Sequence, residues 1–229
     1  MRCYGQWLQM ILIVLCMANI VHPASCFPSP SDEGSRPPTV LSLPVDSTRF
    51  TKYFIKNEER FEFFLNPEYA TPTSNFTGQE SSVRLQGEMS SFVKSGWSYY
   101  ELVRFHKDGR LYTIIAYNYP GEFDDPYLNV QLNSHSANGE LLDALVLDTR
   151  YCFEDVEGFS EYTIDKKGIV SITSYVGYYW DADNLDAGTV AKPVHQLFRF
   201  SRYRIDNGYF KLLTKEEYPV SFINKESTD

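Results

Sequence analysis

Through most of the chain apolar and polar residues alternate with a period of two, the mark of a strand with one buried face. Leu128, Val130 and Leu132 share one side of such a run, and Val83, Leu85, Gly87 and Met89 keep the same rhythm. Four turn pairs punctuate the pattern: Asp108-Gly109, Asn138-Gly139, Lys167-Gly168 and Asn207-Gly208. Asp-Gly and Asn-Gly are strong hairpin signals because both residues accept positive φ. Each pair lies between strand-like runs. Tyr99 to Phe105 leads into Leu111 to Tyr117, and Leu128 to Leu132 into Leu141 to Leu147. Glu161 to Ile164 leads into Ile169 to Val176, and Leu197 to Ile205 into Tyr209 to Leu213. Upstream, Phe50 to Lys56 and Arg60 to Leu65 read as two more strands. An amphipathic helix through Phe50, Phe54, Phe61 and Leu65 competes with that reading. Pro67 to Gly78 reads as a loop, and no long helical pattern follows residue 65. The turn glycines recur 30, 29 and 40 residues apart, but no blade motif accompanies them, which argues against a propeller. The expected fold is all-β: an antiparallel meander of about 10–11 short strands, closed as a barrel or folded as a two-sheet sandwich.

The first 25 residues follow a different rule. Arg2 precedes a continuous apolar block from Trp7 to Val21, which ends in His22-Pro23-Ala24-Ser25-Cys26. A positive start, an apolar core and a small-residue exit form the layout of a secretory signal. The block falls short of the roughly 20 apolar residues a membrane span needs. Residues 26–47 carry Pro28, Pro30, Pro37, Pro38 and Pro44 among Ser, Gly, Asp and Glu, the composition of an extended tether. Residues 48–229 are left as a single antiparallel β domain.

Ala24-Ser25-Cys26 resembles the end of the lipobox of bacterial lipoproteins, with Pro23 at a place where that family usually has an aliphatic residue. The resemblance implies that Cys26 becomes the acylated N-terminus and holds the protein to a membrane, where several chains together give stable attachment. The rest of the chain is similar in style to small envelope lipoproteins of Gram-negative bacteria, whose aromatic-rich strands meet at turns such as Lys107-Asp108-Gly109. The resemblance implies no activity. The alternative for Cys26 is ordinary cleavage near it, leaving a soluble secreted protein. Cys3 and Cys16 leave with the signal, so Cys26 and Cys152 are the thiols that remain. A retained, unmodified Cys26 would allow a disulfide to Cys152, whereas a lipidated Cys26 would leave Cys152 as a small buried apolar residue.

Losing Arg2 takes the 21 basic residues to 20 against 30 acidic ones, a net charge of −10 for the exported part. Such a chain is a poor partner for nucleic acid or anionic surfaces, which are bound by basic clusters. It would draw in a basic partner instead. Asn75-Phe76-Thr77 is a formal glycosylation sequon.

Catalytic motifs are sparse. His106, His135 and His195 stand in no metal-ligand spacing, and no nucleophile elbow occurs, so neither a metal nor a cofactor is expected. His106 and His135 flank hairpin turns and are expected to be exposed. The candidate binding loop is Tyr178, Tyr179, Trp180, Asp181, Asp183 and Asp186, in the longest link between hairpins. Loops on a rigid sheet concentrate binding residues, and aromatics beside carboxylates can stack on sugars or clamp basic side chains. The three aspartates fall short of a calcium loop, because Leu185, Asp186 and Lys192 occupy its fifth, sixth and twelfth places. The bland alternative packs Tyr178 and Trp180 at the sheet edge and leaves the aspartates in water. Glu122-Phe123-Asp124-Asp125-Pro126 and Glu154-Asp155-Val156-Glu157 are two further acidic links, of a kind that is usually just solvated.

The functional expectation is a non-enzymatic, exported envelope or surface protein, lipid-anchored, that binds a protein or small molecule through loops of the β domain. The alternative is an acidic inhibitor or immunity protein against a basic periplasmic hydrolase or toxin, with a dispersed-site enzyme third.

Overall fold

The computed structural model describes residues 39–57, 62–66, 68–69, 71–73, 80–87, 98–120, 126–153, 156–179 and 193–220. Six short strands come first: β1 (Thr39–Val40), β2 (Val45–Asp46), β3 (Phe54–Asn57), β4 (Glu62–Leu65), β5 (Thr71–Thr73) and β6 (Leu85–Gln86). Eight long ones follow: β7 (Tyr99–Lys107), β8 (Arg110–Pro120), β9 (Pro126–His135), β10 (Leu141–Phe153), β11 (Val156–Ile164), β12 (Ile169–Tyr178), β13 (Gln196–Asp206) and β14 (Tyr209–Glu217).

The long strands pair with their chain neighbours, each antiparallel to the next, from β7 to β14. Loop chemistry explains this order. Asp108 and Gly109 have φ of 51° and 74°, and Asn207 and Gly208 have 53° and 87°, so these two hairpins close in two residues with both centres left-handed. The other two turns, at Gly139 and Gly168, place positive φ only on the glycine. The all-β expectation holds, and the meander is an open sandwich rather than a barrel, since β1 and β14 end the strand order. Layers meet where β10 passes from β9 to β11, with which it pairs through Tyr151, Cys152 and Phe153 at its end.

The short strands depart from a pure meander. β1 lies parallel to β7 and β6 parallel to β10, β2 pairs with β11, and β3 with β4 forms a small second sheet. Residues 39–46, which the sequence assigns to the tether, thus supply two strands of the large sheet. Phe50 to Lys56 is also only half strand: Ser47–Tyr53 is a 3-10 helix, capped by Asp46, whose carboxylate accepts the Thr48 N–H at 3.1 Å.

One core joins both layers. Phe105, Ile114, Leu132 and Leu145 meet Ile164, Val170 and Phe210 in it, and Phe50, Tyr53 and Phe63 come from the N-terminal segment. The Asn118 amide docks the β3–β4 hairpin, donating to Phe63 O at 2.9 Å and accepting the Leu65 N–H at 3.4 Å. Asp143 closes the corner between layers. Its carboxylate accepts the Phe210 N–H of β14 and the Gln86 amide, each at 2.7 Å. Burial raises the Asp143 carboxyl above its ordinary range, against those hydrogen bonds.

Candidate functional site

A cleft of about 210 Å³ opens between the 3-10 helix and β11. Ser47, Thr48 and Thr51 form one wall, Glu157, Phe159 and Glu161 the other, with Phe63 and Arg150 between them. The helix makes a polar wall because its three-residue repeat turns Phe50 and Tyr53 into the core. On β11, alternation brings Glu157, Phe159 and Glu161 to one face.

Two of the charged groups that line the cleft, Arg150 and Glu157, are held in ion pairs. Arg150 Nε donates to Asp148 at 2.7 Å, and its guanidinium lies 4.8 Å from the Phe54 ring centre. Asp148 is fully buried and also accepts the Ser160 N–H at 2.6 Å. Burial raises the Asp148 carboxyl, while Arg150 and Ser160 act against that rise. Nearby, the Tyr162 hydroxyl is buried with no hydrogen-bond partner, and burial pushes it well above the usual phenol range, with Asp148 adding to the rise.

At one end of the cleft three residues, one from β3, one just after β12 and one just before β13, converge on Glu157 of β11. Tyr179 donates to its carboxylate at 2.5 Å and Lys56 at 3.0 Å, while Lys56 Nζ also lies 3.4 Å from the Tyr179 hydroxyl. His195 Nε2 stands 3.9 Å from the other carboxylate oxygen, longer than a hydrogen bond, and its ring meets Phe159 edge-on at 4.9 Å. Pairing explains the convergence: Glu157 is opposite Gly177, and Gln196, next to His195, is opposite Val176. Gly177 leaves room for the imidazole, since a Cβ there would lie 2.8 Å from His195 Cδ2 and 2.9 Å from Pro193 Cβ.

The predicted residues divide sharply. Tyr179 is buried on Glu157 rather than exposed, and Tyr178 is half-buried. Trp180, Asp181, Asp183 and Asp186 lie outside the described residues, as do Cys26 and Asn75. Glu157, taken with its neighbours as a solvated acidic link, is buried and hydrogen-bonded instead. His106 is exposed as expected. His135 is half-buried, with Nε2 3.0 Å from Thr113 Oγ1, and burial lowers its pKa. Sequence reasoning missed Lys56, which sits 101 positions from Glu157. Among the described residues no cluster of His, Cys, Asp or Glu could hold a metal, and no helix is long and apolar enough to cross a membrane.

Comparison with protein-family models, with curated proteins and with solved structures gives no match.

Proposed function

We propose that this is an exported, non-enzymatic binding protein of the cell envelope, anchored through a lipidated Cys26, whose cleft takes a neutral polyhydroxyl ligand such as a sugar unit. The pairing of charges around the cleft carries this reading. Asp148 neutralises Arg150 and Lys56 neutralises Glu157, so among the described residues Glu161 is the charged group of the lining left without an ion pair, an acceptor for hydroxyls that disfavours anionic ligands. The cleft presents hydroxyls from Ser47 and Thr51, the Glu161 carboxylate and the rings of Phe63 and Phe159. Hydrogen-bonding groups beside apolar faces match the two surfaces of a pyranose. Because Glu157 holds Tyr179 and approaches His195, the positions flanking residues 180–192 are set beside the cleft.

The test joins intact mass to ligand binding. Protein recovered from a bacterial envelope should have the mass of residues 26–229 plus acyl-glyceryl groups, and an unmodified mass starting near Phe27 would refute the anchor. Calorimetric titration with a panel of neutral mono- and disaccharides should give saturable binding that Phe159→Ala weakens about tenfold, the loss of one ring contact. Absence of binding across the panel refutes the cleft reading. Capture of a basic protein that falls steeply with salt would assign the acidic-inhibitor reading in its place.

A further inference from the structure

β14 is the last strand of the sheet order, and its edge faces no other strand among the described residues. Edges of this kind expose unpaired N–H and C=O groups and are usually blunted or covered. Here the exposed side chains are apolar as well: Tyr209 is 50% exposed, Leu212 52% and Leu213 46%. We infer that the β14 edge pairs with the same edge of a second copy of this chain, antiparallel, about a twofold axis between Leu213 and Thr214.

The register follows from the direction of the backbone groups. Ile205, opposite Phe210, donates its N–H away from β14 to Gly168 O, and Phe210 donates away from β13 to Asp143. By alternation the N–H and C=O of Leu212 also point off the sheet. At the other end Tyr218 donates inward to Phe198 O, so Glu217 and Lys215 point outward. Between Leu212 and Thr214 the pairing with β13 skips one residue, Leu213, and this bulge changes the phase. An antiparallel ladder needs outward groups opposite outward groups. Placing Leu212 opposite Lys215 of the second copy meets that condition at both symmetric positions.

That same register is the one that charge favours. It sets Lys211 opposite Glu216 of the second copy. Their side chains share a face, because Lys211 pairs with Arg204 and Glu216 with Phe200, four positions apart on β13. Shifting one step either way sets Lys211 against Glu217, on the opposite face, or against Lys215, of like charge. Asp143 occupies the edge at Phe210 and confines the ladder to Lys211 through Glu216. Self-complementary patches of this type are what closed twofold dimers require.

Sedimentation equilibrium of the full chain in density-matched detergent tests the pairing. The wild type should reach twice the protomer mass with rising concentration. Glu216→Lys and Lys211→Glu should each weaken the dimer about tenfold, since each turns two attractive pairs into two repulsive ones. The double variant Lys211→Glu/Glu216→Lys should return to within about threefold of wild type. Circular dichroism should show all four proteins equally folded, because both positions are on the exposed edge. A wild type that stays monomeric overturns the inference, and so does a double variant as weak as the singles.

Discussion

Asp148→Asn and Asp148→Ala should part company. The Asp148 side chain is fully buried, and its two oxygens accept from Ser160 N–H and from Arg150 Nε. Burial dominates its titration and raises the folded pKa. A carboxyl raised on folding contributes stability that is fully present below its unfolded pKa and is lost as pH rises through the folded value. The ionised form is therefore the strained one, as expected where desolvation exceeds the attraction of a single partner. Asparagine keeps the shape and an acceptor for Ser160 while removing the buried charge. It should lie within about 1 kcal/mol of wild type at pH 8. Alanine leaves the Ser160 N–H without an acceptor, at about 1–3 kcal/mol, and adds about 1 kcal/mol for the emptied volume. For a domain of this size the alanine variant should melt about 5–15 °C lower.

Urea unfolding of the three proteins, followed by circular dichroism at about pH 5 and pH 8, makes the comparison. Wild type should lose stability relative to Asp148→Asn as pH rises, because only wild type carries the raised carboxyl. Should Asp148→Asn cost as much as Asp148→Ala at pH 8, the Arg150 pair would outweigh burial and the reasoning would fail.

Two further outcomes follow from close packing and edge closure. Gly158→Ala would bring a Cβ within 2.3 Å of the Tyr151 ring, so it should cost about 1–2 kcal/mol in wild type and much less in a Tyr151→Ala background, as a double-mutant cycle would read. Asp143→Ala strips the acceptor from the Phe210 N–H, so it should destabilise by about 1–3 kcal/mol and speed hydrogen exchange at Phe210 more than at Leu145. Unchanged exchange at Phe210 would show that the corner holds without Asp143.

The hairpins were legible because their causes are local. Asp108-Gly109 and Asn207-Gly208 accept positive φ wherever they occur, and the strands beside them alternate within a few residues. β1 and β2 were not legible, because two residues carry no period and their partners lie far off in the sequence; β6 falls inside the Val83 to Met89 alternation, but its parallel pairing with β10 had no local cause. Alternation also misled on β9. Asn129, Gln131 and Asn133 occupy the polar phase of the strand, yet all three are buried. Their amides bond to one another and to neighbouring side chains: Gln131 donates to Asn133 at 2.7 Å, Tyr117 to Gln131 at 3.2 Å and Thr149 to the Asn129 oxygen at 2.7 Å, while the Asn129 Nδ2 is buried without a partner. Polarity in a sequence shows that a group needs hydrogen bonds, not who supplies them.

The same limit explains why the cleft was invisible and why the segment that builds it was misread. Phe50 and Phe54 suggest either a strand or an α-helix, since four-residue spacing suits both faces of that choice. The chain adopts neither at first: Ser47–Tyr53 takes three residues per turn, which aligns Phe50 with Tyr53 over the core. Phe50 then stacks on Tyr162 at 6.0 Å, and the Tyr53 hydroxyl donates to Leu102 O at 3.4 Å. With its inner face committed to both layers, the helix turns Ser47, Thr48 and Thr51 outward as a wall that cannot move without opening the core. The next strand, β3, carries Lys56 to Glu157. One short stretch therefore fills the core with its apolar residues and shapes the cleft with its polar ones. The cleft is preorganised to the extent that the domain is folded, so a ligand would meet a formed wall rather than have to order one.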